Sequence, residues 1–416
     1  MTFFFAARPR ARPLVFVAAA AWLAGLVACS TAPAPAGPAS PALRPLGVRE
    51  ITGLIDARVA GRDAWAQAVD DALRANHLEV NPLSACAVLA VIGQESNFQA
   101  DPIVPGLAKL VAARIETYQD KLGPLGRPIF NRLLAARAPA DPRTFAQRLE
   151  KVRNERDLDL IFRDMLAYYE GAYPGTFEAL SLAGKLFDVR DLTDLNPITT
   201  AGPMQVSVRF AEELARQQHG DVARVRDALY TRAGGVFYGT AHLFASQARY
   251  PRMLFRFADY NAGFFASRNA ALQEQLTLLT GKALALDGDL LGYGKNREVN
   301  DEQTQSMAAL RLFRDRRAPA LSDRQLRADV QREKTLDFET SDTYQAIKAA
   351  ATAQLGRAPA YAVLPQVVLE SPKLSRKLST AWFAQAVERR FVSCLDAAGV
   401  REPPPPADGA TSAPPK

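Results

Sequence analysis

Apolar residues recur at three- and four-residue spacing through most of the chain, and the elements this pattern predicts are helices. Residues 65–78, WAQAVDDALRANHL, read as an amphipathic helix. In 81–98, NPLSACAVLAVIGQESNF, Asn81 or Ser84 supplies a cap, and Ala85, Val88, Leu89, Ile92 and Glu95 share one side. Residues 109–123 form a further helix, and 143–171 contain a long one with a charged outer face. A polar connection over 187–202 leads to a helix over 203–220, with proline near its start and glycine just past its end. That reading places Gln205 in a first helical turn. Helices follow within 231–250, 253–281, 342–356 and 379–399. Strand patterning is scarce: VVLE (367–370) and the nearby YAVLP form a short strand or hairpin. No internal repeat is present. The predicted fold class is mainly α.

The two ends break this pattern. Arg8, Arg10 and Arg12 precede an apolar run of about sixteen residues, PLVFVAAAAWLAGLVA, which is short for a spanning helix. The run ends in Leu26-Val27-Ala28-Cys29, which resembles a bacterial lipoprotein signal, with residues 1–29 as leader and Cys29 as the acylated, palmitate-bearing first residue of the mature chain. Ser30 after the cysteine favours, by the same resemblance, the outer membrane. Residues 30–45 are a Pro/Ala-rich tether, and 401–416 a Pro-rich, disordered tail. Between them, 46–400 make one large helical domain.

Charge and composition narrow the chemistry. The formal charge of +7 falls to +4 once the three leader arginines are removed, with no basic arm and no aromatic-interleaved basic patch. Nucleic acid is therefore not an expected partner. The three histidines, His77, His219 and His242, are too few for a metal cluster, so neither a metal nor an organic cofactor is expected. Cys86 and Cys394 are the mature cysteines; they either pair in an oxidising periplasm or stay buried thiols.

Candidate chemistry starts at Glu95, a carboxylate at the end of an apolar helix. An acid that donates a proton near neutral pH needs a raised pKa, and partial burial beside Val88, Val91 and Ile92 supplies it. Ser96 and Asn97 offer local hydrogen bonds, and Phe98 can plug the helix end into the core. Alone, a glutamate at the end of a helix reads more readily as a solvated terminus. Two further stretches join it. In NPITTAGPMQVSV, Gly202 allows close backbone approach before Met204 and Gln205, whose amide suits a sugar hydroxyl or N-acetyl group. In FADYNAGFF, Tyr260 gives a phenol and Asn261 an amide, beside the small Ala262 and Gly263.

Glu95-Ser96-Asn97-Phe98, then Asn196-Pro197 with Gly202-Pro203-Met204-Gln205, then Tyr260-Asn261-Ala262-Gly263 resemble the ordered motifs of soluble lytic transglycosylases of the goose-lysozyme-like superfamily. FETSDTYQAI, with Thr340 and Tyr344, is similar to a fourth, looser element. The resemblance implies a lysozyme-like helical core with Glu95 as the single catalytic acid/base. It implies substrate contacts at Ser96, Met204, Gln205, Tyr260, Asn261 and Tyr344. The wider chain also resembles an uncharacterised family of proteobacterial outer-membrane lipoproteins that includes YaiW.

Glu95 and Gln205 stand 110 positions apart, where the transglycosylases separate them by a few tens. Helical insertions near 104–195 and 280–335 are therefore expected, either of which can form a lid. The implied reaction cuts peptidoglycan between N-acetylmuramic acid and N-acetylglucosamine, leaving a 1,6-anhydro product. Asp101, Glu116 or Asp259 would be needed as a second carboxylate for hydrolysis instead. The alternative is a non-catalytic envelope lipoprotein, monomeric, whose cleft binds glycan, peptide or a partner protein.

Overall fold

A computed structural model of the chain describes residues 43–174, 196–294, 299–369 and 378–402. The leader with Cys29, most of the tether, part of the 104–195 block and all but the start of the tail lie outside the described residues. The described residues belong to one compact unit. Among the described residues the fold is mainly α-helical, with three two-stranded antiparallel pairs. No helix among the described residues is long and apolar enough to cross a membrane.

Three hydrophobic clusters organise the helices. The first gathers α1 (Val48–Leu54), α2 (Arg62–Ala75) and α3 (Pro82–Glu95) from the start of the domain. The second cluster and a smaller third are built on later helices and on the 104–195 block. That block contributes α4 (Leu107–Leu134), α5 (Phe145–Leu149) and α6 (Glu155–Ala172). These close over their own small core of Leu107, Leu134, Phe145, Leu149, Val152 and Ile161. After it, β1 (Thr200–Ala201) pairs with β2 (Val206–Ser207), and α7 (Val208–Gln217), α8 (Val225–Leu229), α9 (Arg232–Phe244) and α10 (Met253–Ala262) return to the first cluster.

The second cluster is carried by α11 (Ala266–Thr280), α12 (Gln305–Arg317), α13 (Asp323–Val330) and α14 (Asp342–Leu355). The 280–335 block is folded into it, including the β3 (Gly292–Tyr293) and β4 (Val299–Asp301) pair. Helix α11 is buried on nearly all sides, polar residues included. Buried polar groups need hydrogen bonds, and the Arg268, Asn269 and Gln273 side chains have them, while Gln275 Oε1 is buried without one. The Arg268 guanidinium donates to the Thr335 carbonyl at 2.9 Å and lies 4.2 Å from the Phe265 ring centroid. The buried Glu333 carboxylate accepts from Asn269 Nδ2 at 2.7 Å and from the backbone of Leu290 and Leu291 at 2.8 and 2.9 Å. The chain ends in β5 (Val368–Leu369) paired with β6 (Leu378–Ser379), then α15 (Thr380–Ala397), which packs on α3 and α10. Cys86 and Cys394 form a disulfide that ties α3 to α15.

Two helices differ from the sequence pattern. The helix expected over 203–220 begins at Val208, because Gly202 (φ +80°) starts a turn closed by Gln205 N–H donating to the Gly202 carbonyl at 3.0 Å. Ser207 then caps α7 by accepting from Phe210 N–H. Gln205 thus sits in a strand-to-strand turn and not in a helical one. The stretch 253–281 is two helices, broken where Gly263 and Phe265 take φ of 108° and 59°.

Candidate functional site

Helix α3 starts on an Asn81 side-chain cap and runs almost wholly buried to Glu95, which is half-buried at its last position. The chain then turns sharply. Ser96 donates its hydroxyl to the Ile92 carbonyl at 3.1 Å, and Asn97 and Phe98 both take the left-handed conformation, at φ 49° and 60°. Such backbone costs non-glycine residues about 1–2 kcal/mol each. The turn is held by Phe98, whose ring packs edge-on against Trp65 at 5.7 Å and lies over Gly93. This is the plug that fixes the direction in which α3 ends. Ser96, by contrast, spends its hydroxyl inside the turn, where it also accepts from Gln99 N–H at 3.3 Å.

The segment 196–207 is clamped from three sides. Asn196 is buried; it donates to Asp159 Oδ1 on α6 at 2.7 Å and accepts from Ile198 N–H at 2.9 Å. Asp159 is itself paired with Arg226 at 2.9 Å and Arg163 at 3.1 Å. Pro203 and Met204 sink into a groove on α9 that exists because Gly235 and Gly239 lack side chains: a β-carbon at Gly235 would stand 2.3 Å from Pro203 Cδ, and one at Gly239 2.3 Å from Met204 Sδ. Met204 is fully buried, so its side chain anchors the segment and does not face a ligand.

The third clamp is Tyr260 of α10. Its hydroxyl donates to the Met204 carbonyl at 2.7 Å, one residue before Gln205. Burial pushes the Tyr260 phenol well above its ordinary pKa, and the negative charge of Glu95 adds to that. Tyr260 is therefore bonded to the Met204–Gln205 turn and feels the charge of Glu95, groups from positions far apart in the chain. Asn261 is half-buried on the last turn of the same helix. His242 of α9, which sequence reasoning did not single out, packs its buried ring 4.7 Å from that of Tyr260 and 4.7 Å from that of Phe210.

Gln205 has a second neighbour that the sequence did not indicate. Its Nε2 donates to Glu155 Oε2 at 2.9 Å and to the Gly202 carbonyl at 3.3 Å, and its Oε1 accepts from Thr200 Oγ1 at 3.0 Å. Glu155 opens α6, directly after its Asn154 cap, and is buried. In the sequence it reads only as an acid in a first helical turn, where such residues are common. The same helix start also holds the chain that follows α3: Asn154 Nδ2 donates to Asp101 Oδ2 at 3.0 Å, and Val104 N–H donates to the Arg153 carbonyl at 2.9 Å.

The remaining sequence candidates lie elsewhere. Tyr344 is buried in the second cluster, 5.5 Å from the Phe338 ring, and Thr340 ends a 3-10 turn beside it. Glu116 is exposed on α4. Burial raises the Asp101 carboxyl above its usual value, with Arg156 opposing. Asp259 is buried and accepts from Tyr250 Oη and from Ser267 N–H. Among the described residues, no group of three or more His, Cys, Asp or Glu is placed to hold a metal. A concavity of about 700 Å³ opens between α1, α3 and α15. It is lined by Gln94, Phe98, Trp382 and Arg390 but by none of Glu95, Gln205 and Tyr260, so it is separate from those three residues.

Comparison with known proteins agrees on a family and goes no further. No solved structure matches the chain. The Escherichia coli (strain K12) protein described as "Uncharacterized protein YaiW" is 34% identical over 340 residues, covering 82% of this chain and 86% of that protein. Residues 58–397 match the family described as "Protein of unknown function (DUF1615)", and with so much of its length matched the chain belongs to that family, alongside YaiW.

Proposed function

We propose that the protein is a peptidoglycan lytic transglycosylase of the cell envelope, with Glu95 as its acid/base. The observation that carries this reading is the convergence described above: Tyr260 holds the Met204 carbonyl while standing in the field of Glu95, with Gln205 next in the chain. Backbone strain supports it. Of the six non-glycine residues with left-handed backbone among the described residues, Asn97, Phe98, Gln205 and Phe265 lie in or beside one of the three motifs, and His77 and His219 follow helix ends elsewhere. Strain of this kind gathers where a fold over-determines the position of working groups.

In the proposed reaction, protonated Glu95 gives its proton to the leaving glycosidic oxygen between N-acetylmuramic acid and N-acetylglucosamine. The N-acetyl carbonyl of the muramic sugar assists at the anomeric carbon, so no protein nucleophile is required. Glu95, now a carboxylate, takes the proton from the C6 hydroxyl as that oxygen closes on the anomeric carbon. One side chain thus serves as acid and then base. Met204 and Tyr260 act behind the surface by fixing the backbone that carries Gln205. In this reading the core is lysozyme-like, the 104–195 and 280–335 blocks are insertions, and acylated Cys29 anchors a monomer to the outer membrane within reach of glycan strands.

A second reading, binding of glycan or of an envelope protein without cleavage, is favoured by one observation: both amide hydrogens of Gln205 are already taken inside the protein. Turbidity of isolated sacculi separates the two. Protein lacking Cys29 should clear the suspension, and Glu95→Gln should slow clearing by about 10²–10⁴-fold, the usual worth of a general acid. Sedimentation with sacculi but no clearing, equal for both proteins, would leave only the binding reading.

A further inference from the structure

We infer that Glu155 is a positioning residue, supplied by the 104–195 block, which fixes the Gln205 amide as a hydrogen-bond acceptor and thereby makes the site select a sugar substituent that carries an N–H, the acetamido group. The inference rests on the glycan reading above and names which atoms of the glycan the site distinguishes.

A glutamine side chain is ambiguous in recognition, because its carbonyl accepts and its NH₂ donates, and rotation about the last bond exchanges them. An ionised carboxylate is not ambiguous: it only accepts. With Glu155 Oε2 at 2.9 Å, the nitrogen of Gln205 must point toward α6, and its second hydrogen goes to the Gly202 carbonyl at 3.3 Å. The opposite end of the amide is then a carbonyl. It accepts from Thr200 Oγ1 at 3.0 Å, which occupies one of its two lone pairs. The second lone pair remains for a ligand donor.

The rest of the geometry makes this orientation hard to reverse. Glu155 is buried at the first position of α6, where the aligned backbone dipoles favour a negative charge. Gln205 is half-buried and rooted on left-handed backbone at φ 50°, between a fully buried Met204 and the β2 strand. Turning the amide would set its carbonyl against both the Glu155 carboxylate and the Gly202 carbonyl, two acceptors; the Thr200 hydroxyl, which can accept as well as donate, would tolerate either end. An acceptor held this way discriminates strongly against a ligand that lacks the donor, because such a ligand leaves a polar group unpaired on binding.

The test uses mature protein lacking Cys29 and carrying Glu95→Gln so that ligand is not turned over. Calorimetry compares an N-acetylglucosamine tetrasaccharide with its N-methylacetamido analogue, which keeps the carbonyl but has no N–H. The parent protein is expected to prefer the acetamido sugar by about tenfold, the worth of one well-placed hydrogen bond. Adding Glu155→Gln, which frees the Gln205 amide to turn, should bring the two affinities within about twofold, while Glu155→Asp should restore the preference. A merely structural role for Glu155 would weaken both sugars equally, and a merely steric bias against the methyl group would survive Glu155→Gln; either result overturns the inference and leaves the glycan reading standing. If neither the parent nor wild-type protein binds either sugar, the glycan reading fails and takes this inference with it. Thermal midpoints of each variant guard against loss of fold, and the affinity ratio stays interpretable in any variant that binds.

Discussion

At Gly202, a β-carbon would stand 2.0 Å from the Leu229 carbonyl oxygen, and the backbone is left-handed at φ +80°. Neither condition admits a side chain. Gly202→Ala should therefore destabilise the protein by about 2–5 kcal/mol, combining left-handed strain with overpacking against backbone that cannot yield. Urea titration followed by circular dichroism checks this. The same variant should lose sacculus clearing in the fraction that stays folded, because the turn beginning at Gly202 sets the direction of Gln205. Gly202 was legible in the sequence as a point of close approach. Its counterparts Gly235 and Gly239 were not, since nothing local says which face of α9 receives Pro203 and Met204. Glu155 was hidden for a related reason: a first-turn acid beside an Asn cap looks the same whether it faces water or a buried amide.

At the scale of elements, long segments with strong periodicity were readable and breaks within them were not. Helices α2, α3, α14 and α15 fall where the 3.6-residue pattern puts them, and the β5–β6 pair involves part of the VVLE stretch. The 203–220 and 253–281 stretches keep helical periodicity through residues that leave the helix: Met204, drawn into the α9 groove, and Gly263 and Phe265, whose left-handed backbone separates α10 from α11. The junction of α3 with α15 carries its own prediction. The Cys86–Cys394 disulfide closes a loop across most of the domain, its ends 308 positions apart. Reduction should lower stability by about 2–5 kcal/mol, since a cross-link over so long a loop restricts the unfolded chain strongly. Cys394→Ser should show the lower midpoint with or without reductant. Equal midpoints for oxidised and reduced wild type would contradict it.

For the molecule as a whole, the buried polar groups that link the first cluster to the second set a pH dependence. Asp259, next to Tyr260 on α10, has its carboxyl pushed up from 3.8 to about 6, because burial disfavours the charge more than the Tyr250 and Ser267 hydrogen bonds favour it. The folded state therefore holds this proton more tightly than the unfolded chain does. Its contribution to stability is fully present below about pH 4 and is lost as pH rises through about 6, a fall of roughly 3 kcal/mol. Glu333, raised by burial in the second cluster, pulls in the same direction. Asp259→Asn should flatten this part of the curve, and denaturant titrations of both proteins at pH 4 and pH 7 give the difference directly. Parallel curves would show that Asp259 titrates alike in the folded and unfolded chain.

In the proposed reaction, Glu95 cleaves glycan strands with internal attack by the C6 hydroxyl. Mass spectrometry of the soluble products released from isolated sacculi tests it most directly. Wild type is expected to release muropeptides lighter by one water than their hydrolytic counterparts, the difference made by closing the 1,6-anhydro ring, and Glu95→Gln only traces of them. Reducing-end muropeptides carrying that water, or identical product profiles from the two proteins, would contradict it.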